Sequence, residues 1–135
     1  MGSHDFEIIE FGAPAVPAIN GVAVLFDSTV FFNKMGLSMM RVGRVQLAFP
    51  GLDQAGTLTG YTSKDKGATW NQFAFGGGTT LPATVAAGTT TDHSSYDIFV
   101  ATEKDVKFTF TAGGTAPTVW NPTIKCQTGN THSGT

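Results

Sequence analysis

Apolar and polar residues alternate with a period of two over much of this chain. The clearest stretch is residues 40–49 (MRVGRVQLAF), where Val45, Leu47 and Phe49 fall on one face and Arg44, Gln46 and Ala48 on the other. Residues 106–111 repeat it, with Val106, Phe108 and Phe110 opposite Lys107, Thr109 and Thr111. Successive side chains of a strand point to opposite faces, so such segments read as half-buried β-strands. Residues 5–11 (DFEIIEF) form a first extended segment, and 22–26 and 29–33 are two short apolar strands flanking Asp27-Ser28. Residues 57–63 and 70–75 pair around a turn, and 96–102 and 118–126 supply two more strands, the last with Trp120, Ile124 and Cys126 on one face. The best helical pattern, residues 34–41, is short, contains Gly36 and runs straight into the alternation of 40–49. About eight short strands broken by Gly, Pro and Asp predict an all-β chain. A single antiparallel β-sandwich, Greek-key or jelly-roll-like, is the simplest way to bury so many one-sided strands.

Three stretches do not alternate. Residues 11–21 (FGAPAVPAING) hold two prolines, which fix φ and lack a backbone donor, so an extended arm or edge is expected. Residues 75–95 begin with Gly76-Gly77-Gly78 and continue through Thr and Ala. An edge strand at 81–85 is conceivable there, but Pro82 argues against it. Residues 127–135 are polar, without an apolar anchor. The expected organisation is an extended N-terminal arm over 1–21, a β-sandwich over 22–126 and a polar tail over 127–135.

Composition sharpens this. Only 13% of the 135 residues are charged, against roughly 25% in an ordinary soluble domain. Twenty Thr, seven Ser and 17 Gly stand in for the missing ions. A net charge of −2, with guanidinium groups only at Arg41 and Arg44, argues against nucleic acid as a partner. No apolar run approaches the roughly 18 residues of a membrane helix, and no membrane partner is expected. The opening residues lack the basic and apolar regions of a signal peptide. Cys126 is the only cysteine, so no intrachain disulfide can form, which fits a reducing compartment.

Residues 63–70 (SKDKGATW) fit the pattern S-x-D-x-G-x-T-W at every position. The segment resembles the Asp-box, a hairpin turn of sialidases, other β-propellers and unrelated β folds. The resemblance implies a structural turn. Asp65 would accept turn amides, Gly67 would take a positive φ, Ser63 and Thr69 would satisfy the remaining backbone groups, and Trp70 would pack its indole beneath. A sialidase needs several such boxes, an arginine cluster and a far longer chain, so no catalytic residue carries over. His4, His93 and His132 are scattered, and Ser94 and Ser95 merely adjoin His93. No catalytic residue, metal ligand or cofactor is therefore expected, and the chain reads as a non-enzyme.

A surface this poor in charge is weakly solvated and suits contact with other proteins. The residues expected to make that contact lie in the arm (Pro14, Val16, Pro17, Ile19) and in the long loop (Leu81, Pro82, Val85). Residues 97–125 (DIFVATEKDVKFTFTAGGTAPTVWNPTIK) are similar in pattern to the small β-sandwich decoration or cement proteins of tailed-phage capsids. That resemblance implies a structural virion subunit, assembled in host cytoplasm and binding itself and a capsid lattice. A closed homo-oligomer is expected, a trimer by preference. The alternative is a carbohydrate-binding β-sandwich module that uses the 63–70 hairpin and surface aromatics such as Phe31, Phe32, Phe73, Phe75, Tyr96 and Phe99.

Overall fold

The predicted alternation becomes nine antiparallel strands in a computed structural model that describes residues 7–30, 40–73, 80–99 and 105–130. They are β1 (Glu7–Phe11), β2 (Val22–Asp27), β3 (Met40–Ala48), β4 (Gly56–Ser63), β5 (Asn71–Phe73), β6 (Ala83–Val85), β7 (Ser95–Phe99), β8 (Asp105–Ala112) and β9 (Thr123–Asn130). Two sheets pack face to face. One has the order β1-β9-β3-β7; the other runs β2-β8-β4-β5, with β6 pairing the same edge of β4 as β5 does. The chain crosses between sheets at every step except β4-β5-β6, so β1 faces β2, β9 faces β8, β3 faces β4, and β7 faces β5 and β6. This nested winding is a jelly roll, the all-β sandwich expected from the sequence.

The core is the inward face of both sheets. Val45, Leu47 and Phe49 are buried, as are Val106, Phe108 and Phe110, with Leu58, Ile98, Ile124 and Cys126 between them. Rings lock the middle: Phe49 and Phe110 lie 5.6 Å apart and Trp120 meets Phe110 edge-on at 5.1 Å. Gly56 is a glycine because there is no space for anything larger; a Cβ there would stand 2.3 Å from Phe110.

Several segments differ from expectation, each for a local reason. Residues 29–33 were expected as a strand, but Ser28 to Val30 form one helical turn, and 31–33 lie outside the described residues. Asp27 caps that turn, its Oδ1 accepting the Thr29 amide at 3.0 Å and hydroxyl at 2.6 Å. The closing strand starts at Thr123 rather than Thr118, because Asp53 takes the amides of Thr118 and Val119 and holds them away from a ladder. It also continues to Asn130, so residues 127–130 belong to the sheet rather than to a tail. Within the expected arm, Glu7–Phe11 pairs with β9 and residues 12–21 follow it without a strand, while residues 1–6 lie outside the described residues. Despite Pro82, Ala83–Val85 does pair with β4.

Candidate functional site

The turn at 63–70 is closed from within. Ser63 Oγ accepts the Gly67 amide at 2.8 Å and donates to Asp65 Oδ1 at 2.7 Å. Asp65 accepts the Thr69 amide at 2.9 Å through Oδ1 and its hydroxyl at 2.6 Å through Oδ2. Those bonds, the Thr69 hydroxyl foremost, hold the Asp65 carboxyl down at about 2. Gly67 has φ +94° and Lys66 φ +60°, the left-handed geometry that makes Gly67 the economical residue there. Ser63, Asp65 and Thr69 are thus bonded within the turn itself, and Lys64 and Lys66 are exposed. Trp70 is half-buried beside Gly67, and its ring carries the Lys107 ammonium 4.6 Å from its centre; the same ammonium lies 5.2 Å from the Tyr61 ring.

The two flanks of the sandwich differ. On one, Tyr96 of β7 donates its hydroxyl to the Thr84 carbonyl of β6 at 3.1 Å, tying the sheets together. On the other, β1 and β2 are edge strands and an apolar cavity of about 490 Å³ opens between them, lined by Phe11, Gly12, Pro14, Leu25, Phe26 and Val30 among others. Six of the seven exposed large hydrophobics among the described residues lie along this β1–arm–β2 run: Ile8, Val16, Ile19, Val22, Val24 and Val30. The arm is fixed rather than loose, since Trp120 Nε1 donates to the Pro14 carbonyl at 2.7 Å and the Asn20 amide to Gly113 at 2.9 Å.

The expected contact residues therefore separate. Val16 and Ile19 are exposed and Pro14 is half-buried on the open flank. Pro17 is buried, and Leu81 and Val85 sit in the core at 1% and 0% exposure, where they pack the sandwich instead of meeting a partner; Pro82 is exposed. Of the aromatics named for carbohydrate stacking, Tyr96 is half-buried against Phe49, and Phe31, Phe32 and Phe75 lie outside the described residues. Among the described residues, no cluster of three or more His, Cys, Asp or Glu is placed to hold a metal ion. Cys126 is buried, and burial pushes its thiol up to about 12.

One feature escaped the sequence. The outer face of the β1-β9-β3-β7 sheet carries a groove of about 350 Å³ lined by Gln46, Ala48, Ser95, Asp97, Thr123 and Lys125, with the backbone of β3 beneath. Arg44 grips Asp97 through both nitrogens of one edge, Nε to Oδ1 at 2.6 Å and Nη2 to Oδ2. That pairing lowers the Asp97 carboxyl and raises the guanidinium. Alternation had put Arg44 and Gln46 on the outer face. Which strands flank them depends on pairing across more than fifty residues, and period-two patterning carries no sign of that.

No protein-family model matches the chain, and comparison with curated proteins finds no match either. The class is set by the fold alone: a jelly-roll β-sandwich with one closed and one open apolar flank.

Proposed function

We propose that the protein is a non-enzymatic structural subunit of an oligomeric assembly, with the β1–arm–β2 flank as its contact surface. The observation that carries this is the apolar cavity between edge strands β1 and β2, lined by Phe11, Pro14, Val24, Leu25, Phe26 and Val30, with Ile8, Val16, Ile19 and Val22 exposed on the same stretch of chain. Contiguous exposed apolar surface marks a site of protein contact. The low charge supports the same reading, because few ions need to be desolvated when such a face is covered. The assembly is a closed homo-oligomer, a trimer by preference, that adheres to a protein lattice. A phage capsid is the lattice the sequence pattern favours, with the protein residing in the virion as a decoration subunit. Jelly rolls recur in capsid subunits, a likeness of architecture that by itself implies no function.

The test is native mass by light scattering. Wild-type protein is expected above monomer mass, and Ile19→Asp or Val24→Asp is expected to bring it to monomer while far-UV circular dichroism stays unchanged. Both sites are exposed, so neither substitution opens the core. A wild-type monomer at high concentration, or variants that assemble like wild type, overturns the reading. Truncating residues 1–20 is a poorer probe, since it removes β1 and the Phe11 ring that packs edge-on against Phe26 at 5.3 Å. The carbohydrate reading of the 63–70 hairpin has less support, because Lys107 already occupies a face of both Trp70 and Tyr61.

A further inference from the structure

The groove on the outer face of the β1-β9-β3-β7 sheet has no part in the assembly reading and stands independently of it. We propose that this groove is a binding site for a single neutral saccharide ring. Its shape comes from side-chain size. Ala48 is flanked in register by Thr123 on β9 and Ser95 on β7, three short residues in a row. The next row is longer: Lys125, Gln46 and Asp97 stand side by side on the same three strands. The short row makes a floor and the long row a wall. Lys125 and Asp97 lie two strand spacings apart, roughly 10 Å, about the span of a hexose with its hydroxyls.

The chemistry of the wall selects the ligand class. Lys125 only donates, Asp97 only accepts, and Gln46, Ser95 and Thr123 do both. A sugar hydroxyl is at once donor and acceptor, so a ring bearing several of them can match such a mixed set. Charges cancel locally: Lys125 faces Glu10 in register on β1, and Arg44 is paired with Asp97. A groove without net charge gives an ionic ligand no advantage. Polar surface outweighs apolar in the lining, where Ala48 is the small apolar side chain of the floor, which favours a hydroxyl-rich ligand over a lipid. The wall is also pre-set. Arg44 fixes the Asp97 carboxylate along one edge and leaves further lone pairs on both oxygens. The volume of about 350 Å³ accepts one ring rather than a long chain.

The experiment is an amide NMR titration of the full chain with methyl glycosides of glucose, galactose, mannose and N-acetylglucosamine. At least one is expected to shift the amides of residues 46–48, 95–97 and 123–125, with Kd on the order of 1 mM for so few contacts. Ala48→Phe, which fills the floor, is expected to weaken binding at least tenfold, and Gln46→Ala, which lowers the wall and removes an amide donor and acceptor, to weaken it measurably. Lys66→Ala in the hairpin is expected to leave Kd unchanged. Should Ala48→Phe fail to fold, Gln46→Ala and Lys125→Ala decide the matter. No shift with any of the four glycosides overturns the proposal. So do shifts centred on Trp70 and Tyr61, or groove variants that bind like wild type. Native mass does not enter this readout, so loss of the assembly reading leaves the result interpretable.

Discussion

Gly56 and Gly114 show how differently one residue type is constrained. At Gly56 a Cβ would meet Phe110 at 2.3 Å and the Thr111 carbonyl oxygen at 2.6 Å, and backbone cannot retreat cheaply. Gly114 has nothing within 4 Å. Gly56→Ala is therefore expected to cost about 3 kcal/mol in urea unfolding, while Gly114→Ala stays close to neutral. Residue roles were legible where chemistry is local. Ser63, Asp65, Gly67 and Thr69 act within a few positions of one another; Ser63 and Asp65 accept turn amides as read from the sequence, whereas the Thr69 hydroxyl bonds the Asp65 carboxylate rather than backbone. Leu81 and Val85 were misplaced because loop-like text around them said nothing of the core they enter from a distance.

At the level of elements, β3 and β8 were legible because strict alternation leaves one register that hides the apolar side. The start of the apolar run at 29–33 was not, since a short run without alternation has no period to read, and its described residues, Thr29 and Val30, are helical. Polar residues 127–130 are strand because β3 pairs with them through backbone groups, whatever their side chains. The arm is held by Trp120, and that attachment can be isolated. Trp120→Phe removes the 2.7 Å bond to the Pro14 carbonyl while keeping a ring against Phe110. The expected outcome is a loss of about 1 kcal/mol, together with faster hydrogen exchange at the Asn20 and Gly21 amides, measured by NMR.

For the whole molecule, acid stability follows from three aspartates. Asp53, Asp65 and Asp97 all lie below the ordinary carboxylate value, through Thr118, Thr69 and Arg44 respectively. A group depressed on folding contributes its stability above the unfolded value, near 3.9, and loses it as pH falls toward the folded one. Urea midpoints are thus expected to hold steady at neutral pH and to decline as pH drops from about 4 toward 2, the folded value of Asp65. Asp65→Asn should flatten part of that decline. The sandwich itself was readable from strand count, but the contrast between its flanks was not, because Tyr96 meets Thr84 and Phe11 meets Phe26 only after the chain has wound. That winding also sets the order of events during synthesis. β9 lies between β1 and β3, so β1, the earliest made of the nine described strands, has no ladder partner until β9 emerges. Until then β1 is a lone ribbon with a bare backbone on both sides, and a nascent chain stalled before Thr123 is left with that sheet in two pieces.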